Sequence, residues 1–219
     1  MFPMEVVAWV LATATAAVLA VWGRGVNRMP VHWIFKPLTT LIVLAFVAAH
    51  LPAGAQRRAA CVALAFSALG DLLLMCPPRW FLPGLASFAI ALGAYVWAFS
   101  LGVSHVHAHW LVLLLPVAML AAALVPLMAH VGGRLRTAVA VYGAVLAILI
   151  WRLLVRIDAP FVGTFAYGAG VVGALLFAFG DTLLAYRRFA HLHVPYALEL
   201  GTYYAAQGAL ALALVYAPT

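Results

Sequence analysis

Two aspartates sit in stretches that otherwise read as hydrocarbon. Asp71 lies in Phe66-Ser67-Ala68-Leu69-Gly70-Asp71-Leu72-Leu73-Leu74, and Asp181 in Leu176-Phe177-Ala178-Phe179-Gly180-Asp181-Thr182-Leu183-Leu184. An ionisable side chain inside a membrane-spanning helix costs roughly 2.5–3.5 kcal/mol on insertion scales, so its retention points to function. Two such carboxyls can share acid and base work, one donating a proton while the other stays ionised, if their environments split their pKa values. Asp71 and Asp181 are therefore the expected catalytic pair.

Other polar residues fall where they could serve the same site. Lys36 is a fixed cation that could hold a phosphate or keep one carboxylate ionised. Glu199, Tyr203 and Gln207 recur at intervals of four and line one helix face, a carboxylate, a phenol and an amide on a single stripe. Tyr95 lies deeper on the preceding half of the chain. These five are the expected substrate-binding residues. Snorkelling at the interface, an aromatic belt and ordinary packing are the structural readings of the same residues.

Several chemistries lack their signatures. No Gly-x-Ser-x-Gly elbow and no Gly-x-x-x-x-Gly-Lys loop occurs, which removes the usual support for a serine hydrolase or a nucleotide-binding protein. His105 and His109 share a face if helical, yet their segment belongs to the end opposite the aspartates. No His-Glu-x-x-His or Cys-x-x-Cys spacing exists. The reading therefore calls for no metal and no other cofactor. Cys61 and Cys76, fifteen positions apart on one expected helix, would be about 22 Å apart, too far for a disulfide.

The elements that position these residues follow from composition. Of 219 residues 68% are hydrophobic and 8% charged, against roughly 45–50% and about 25% in soluble domains. So few charges cannot cover a globule in water, and a soluble domain is excluded. The net charge of +7 is scattered singly or in pairs at helix ends, so no nucleic-acid-binding patch forms. Apolar runs predict eight helices at about 5–22, 36–51, 58–76, 82–101, 109–129, 136–155, 162–185 and 196–217. Pro30, Pro52, Pro77-Pro78 and Pro160 are read as stops, and Lys36-Pro37 as the opening of the second helix. Runs such as Leu111 to Met128 are apolar on every face, which favours helices over a barrel. The expected fold is an all-α, eight-helix integral membrane bundle forming one domain over 1–219. The first helix has no basic leader and no cleavage site before Arg24, and is expected to be retained.

A repeat divides the domain. The Asp71 segment returns 110 positions later around Asp181, and Leu92-Gly93-Ala94-Tyr95 is echoed 108 positions later by Leu200-Gly201-Thr202-Tyr203. Two matches in one order suggest halves at about 1–107 and 108–219. With four crossings each, the halves would be parallel and the aspartates would face one another. Connections after the odd helices carry Arg24, Arg28, Lys36, Arg79, Arg134, Arg136, Arg187 and Arg188, against Arg57, Arg58, Arg152 and Arg156 after the even ones. The positive-inside rule puts the first set, and the aspartate end, toward the cytoplasmic leaflet of a bacterial inner membrane.

Lys36-Pro37, Gly70-Asp71-Leu72-Leu73-Leu74, Gly180-Asp181-Thr182-Leu183-Leu184-Ala185 with Arg188-Phe189, and Tyr203-Tyr204-Ala205-Ala206-Gln207 together resemble the YhhN-like lysoplasmalogenase family, in family order, over most of the chain. The resemblance implies hydrolysis of the vinyl ether bond of lysoplasmalogens, giving a fatty aldehyde and glycerophosphoethanolamine or glycerophosphocholine. The implied partners are a lysophospholipid substrate, membrane lipid and water. Leu92 stands where the family often has a histidine one turn before the helix 4 tyrosine, which shifts the case onto the aspartates. The rival readings are a small transporter or lipid carrier using the same aspartates, and an intramembrane metal-dependent hydrolase.

Overall fold

The computed structural model describes residues 3–101, 110–158 and 163–217. Among them all regular structure is helical. The helices are α1 Met4–Gly25, α2 Met29–His50, α3 Ala55–Met75, α4 Phe81–Ser100, α5 Trp110–Leu124, α6 Gly133–Leu154, α7 Thr164–Phe189 and α8 Tyr196–Val215, with short 3-10 turns before α4 and after α5 and α6. Seven of them, α1 to α7, are long and apolar enough to cross a bilayer, α5 only together with the 3-10 turn that extends it to His130. The exception is α8, whose twenty residues include Glu199, Tyr203, Tyr204 and Gln207.

The connections show why these boundaries fall where they do. At the end of α1, Asn27 takes a left-handed φ of 56°, a conformation that asparagine tolerates better than most residues. Its turn lets the Arg28 N–H donate to the Gly23 carbonyl at 2.7 Å, closing the helix before α2 begins. Here the structure corrects the sequence reading. Pro30 is not a stop but sits in the first turn of α2, where the missing N–H has no helical partner anyway. Consequently α2 starts at Met29, and Lys36 and Pro37 lie about two turns inside it. The run 105–109 and Pro160 lie outside the described residues.

Packing pairs consecutive helices. The most extensive contacts are α3 on α4 and α7 on α8, followed by α1 on α2. Two glycines allow the first two pairs to close. A Cβ on Gly70 would lie 2.6 Å from the Phe88 ring of α4, and one on Gly180 would lie 2.8 Å from the Thr202 hydroxyl of α8. Each immediately precedes an aspartate, so the close crossing that needs the glycine also presses the carboxyl toward the bundle interior. The interior holds Phe88, Leu92, Tyr95, Phe99, Leu146, Ile150, Phe177, Tyr203 and Leu210 in one cluster. Helix α5 is peripheral: Leu111, Leu114, Leu115 and Val117 are exposed and only Pro116 and Leu120 are buried. That is the pattern of a helix facing lipid.

Candidate active site

At the end of the bundle where α1, α3 and α7 finish and α2, α4 and α8 start, the polar residues converge. A cavity of about 70 Å³ is lined by Lys36, Asp71, Asp181, Arg187, Glu199 and Tyr203, with Leu74, Phe88, Gly180, Leu184 and Leu200 completing its wall. The two aspartates thus open into one space. Five of the seven residues singled out from the sequence line it.

Asp71 is 1% exposed and is held on both oxygens. Lys36 Nζ is 3.6 Å from Oδ1. Thr40 Oγ1 donates to Oδ2 at 2.7 Å and the Tyr203 hydroxyl donates to the same oxygen at 2.9 Å. Behind Tyr203 the hydrogen bonds continue in one direction. Gln207 Nε2 donates to the Tyr203 oxygen at 3.3 Å, and the Tyr95 hydroxyl donates to Gln207 Oε1 at 2.5 Å. Tyr95, Gln207, Tyr203 and Asp71 therefore form a chain in which every donor points toward the carboxylate. A cation plus two hydroxyl donors is an arrangement built for an anion.

Asp181 has a different environment. Its Oδ2 accepts from the Tyr142 hydroxyl of α6. It also lines a second, apolar crevice with Phe81, Leu85, Leu120, Leu124, Val139 and Leu146. Asp181 is the hinge between a polar and an apolar space, whereas Asp71 opens only onto the polar one. On its other side the polar cavity adjoins a larger chamber of about 210 Å³, with which it shares Lys36, Arg187 and Glu199. Arg187 and Glu199 form a two-pronged ion pair there, Nε to Oε2 at 2.5 Å and Nη2 to Oε1 at 2.9 Å, tying the end of α7 to the start of α8.

The structure separates the sequence-derived candidates. Lys36, Asp71, Asp181, Glu199 and Tyr203 meet at the cavity. Tyr95 and Gln207 are fully buried behind it and do not line it, because the stripe 199, 203, 207 runs from the membrane end into the core. Glu199 is engaged by Arg187 rather than free. The sequence reading missed Thr40, Tyr142 and Arg187. Thr40 could have been found from its spacing of four from Lys36; Arg187 was absorbed into the topology count; Tyr142 had no local signal. Among the described residues no group of three or more His, Cys, Asp or Glu side chains converges.

A carboxyl met by a cation and two hydroxyl donors, and a second carboxyl at a polar–apolar boundary, are an arrangement that can serve proton transfer to a bond lying across that boundary. Similarity to known proteins points the same way. The chain is 32% identical to the lysoplasmalogenase TMEM86B of Homo sapiens over 189 residues, covering 84% of this chain and 76% of that protein. It is 33% identical to the Sus scrofa lysoplasmalogenase TMEM86B over 187 residues, with the same two coverages, and 32% identical to the Rattus norvegicus lysoplasmalogenase TMEM86B over 191 residues, covering 84% of this chain and 72% of that protein. No solved structure matches. Residues 31–214, which include both aspartates and every cavity-lining residue named above, match the YhhN family, and the chain belongs to it.

Proposed function

We propose that this chain is a lysoplasmalogenase, an ether hydrolase that cleaves the vinyl ether bond of 1-alkenyl lysophospholipids to a fatty aldehyde and a glycerophosphodiester. The observation that carries the reading is the position of Asp181, shared by the polar cavity and the apolar crevice, with Asp71 on the polar side alone. Cleavage begins with protonation of the vinyl carbon distal to oxygen, the carbon on the tail side. The resulting oxocarbenium ion is centred on the carbon next to the ether oxygen, on the headgroup side. Asp181 is thereby the general acid and Asp71 the anion that stabilises the cation and takes a proton from the attacking water. Glycosidases meet the related problem with two carboxylates.

The proton count closes. Asp181 gives its proton to the vinyl carbon, water adds to the cation and gives a proton to Asp71, the hemiacetal collapses with proton transfer from its hydroxyl to the departing glycerol oxygen, and the proton on Asp71 returns to Asp181 across the cavity they share. Lys36, Thr40 and Tyr203 hold Asp71 ready to accept that proton and to release it again. Tyr142 orients Asp181 through Oδ2, leaving Oδ1 to carry the mobile proton.

The same reading takes α8 as an eighth span and the halves as a parallel duplication. Gly70 and Gly180 support it, since each is crowded by the following helix just before its aspartate, while Gly93 and Gly201 of the second echo are both open to side chains. The basic residues at the chamber end support a cytoplasmic-leaflet site.

The test is aldehyde release by detergent-purified protein from a 1-alkenyl lysophospholipid, beside its 1-acyl counterpart, with and without chelator. Release from the alkenyl compound alone, unaffected by chelator and lost in Asp71→Asn and Asp181→Asn, is expected. Full activity in both variants overturns the two-carboxylate mechanism.

A further inference from the structure

The chamber next to the aspartates carries more positive charge than its own residues balance. Arg24 from α1, Lys36 from α2 and Arg187 and Arg188 from α7 line it, with Glu199 as its carboxylate. Glu199 is already paired twice with Arg187. Lys36 is directed at Asp71. That leaves the guanidiniums of Arg24 and Arg188, neither of which has a carboxylate partner among the described residues.

Both are held in place by aromatic rings rather than by anions. Arg24 lies over the Tyr196 ring, 4.5 Å from its centroid, and its Nη2 donates to the Tyr196 hydroxyl at 2.8 Å. Its Nη1 lies 3.2 Å from the Met29 sulfur, a weak acceptor. Arg187 also lies over the Tyr196 ring, 4.8 Å from its centroid, so one ring holds two cations. Arg188 lies over the Phe81 ring at 5.2 Å. Stacking fixes a guanidinium plane while leaving N–H edges for an incoming oxygen, the geometry in which arginine binds phosphate in a two-pronged fashion.

We propose that Arg24 and Arg188, which line one chamber, form a binding site for the phosphodiester of a single-chain lipid, and that this site fixes how far the chain enters the bundle. The inference rests on the lysolipid reading above for the identity of the ligand. Lys36, directed at Asp71, lies at the chamber's inner wall and keeps the two anion sites apart. A phosphate seated between α1 and α7 leaves the glycerol and the ether in the aspartate cavity and the tail toward the crevice beyond Asp181.

The experiment is equilibrium binding of a 1-alkyl lysophospholipid, whose saturated ether cannot be cleaved by vinyl ether chemistry, compared with the matching 1-alkylglycerol, which lacks phosphate. Binding is thus read whether or not the hydrolytic reading holds. Wild-type protein is expected to prefer the phospholipid at least tenfold. Arg24→Gln and Arg188→Gln are each expected to raise its Kd about tenfold and to leave the alkylglycerol Kd within twofold, which also reports that the variants remain folded. Unchanged lysolipid affinity in both variants, even with a lowered melting temperature, would reduce the arginines to helix-end anchors and overturn the proposal. Inorganic phosphate is expected to compete only at concentrations at least a hundredfold higher than the lysolipid; equal competition would make the chamber a free-phosphate site and overturn the lipid assignment.

Discussion

Asp71 is met by Lys36, Thr40 and Tyr203, and the order of the groups behind Tyr203 determines what each substitution should do. Tyr203 touches the carboxylate directly, Gln207 acts through Tyr203, and Tyr95 acts through Gln207. Tyr203→Phe removes one of the two hydroxyl donors to a carboxylate that must stay anionic beside a developing cation. Losses of about a hundredfold in kcat accompany removal of a single preorganised donor in comparable sites, and a loss of that order is expected here with KM little changed. Tyr95→Phe removes a hydrogen bond two links away, worth about 1 kcal/mol net, so a fall of about fivefold is expected. Steady-state kinetics on the two variants checks the order; a larger loss for Tyr95→Phe than for Tyr203→Phe would break the chain as described. The sequence made the members of this chain visible because polar groups in apolar helices stand out. Their ranking was not visible, since Tyr95 and Tyr203 are equally polar and only the folded arrangement decides which one reaches the aspartate.

At the scale of elements, the site depends on how closely α3 meets α4 and α7 meets α8. Gly70→Ala drives a methyl to 2.6 Å from the Phe88 ring and Gly180→Ala drives one to 2.8 Å from the Thr202 hydroxyl. Overpacking of this kind costs about 1–3 kcal/mol, and each substitution moves the neighbouring aspartate, so a lower melting temperature and lower kcat are expected together. Gly93→Ala is the control, because nothing lies within 4 Å of its added methyl; thermal melts of the three variants side by side check the contrast. A second element-level contact is at the far end, where Arg152 donates to the Phe99 and Ser100 carbonyls and Arg156 to that of Phe99, satisfying the C-terminus of α4. In the sequence these arginines enter the count of basic residues that sets the topology; the structure makes them caps, and Arg152→Ala is expected to cost about 1–2 kcal/mol, the worth of charge-assisted hydrogen bonds, as a drop in melting temperature with KM unchanged. Helix number and approximate spans were legible because hydropathy alone sets them. The start of α2 was not, because a proline reads equally as an end or a first turn, and the Asn27 turn that decides between them depends on the return of the chain to Gly23.

Across the whole molecule, three spaces follow one another: a basic chamber at the membrane end, a polar cavity with both aspartates and an apolar crevice bounded by α4, α5, α6 and α7. The same order, charged, polar and apolar, runs along a single-chain phospholipid from headgroup through glycerol to tail. Because α5 is held by few buried residues, the crevice lies behind a helix that faces lipid, which suits sideways entry of a tail from one leaflet. This alignment makes tail length a property read at the crevice and not at the aspartates. Leu120 is the buried α5 residue on that wall. Leu120→Phe narrows the crevice, and each methylene it displaces from the apolar wall forfeits about 0.8 kcal/mol, or about fourfold in affinity. With alkenyl substrates of increasing length, KM is expected to rise progressively relative to wild type while the shortest substrate is turned over with unchanged kcat. A uniform fall at every length would mean that the tail leaves by another route, and that the apolar face of Asp181 serves packing alone.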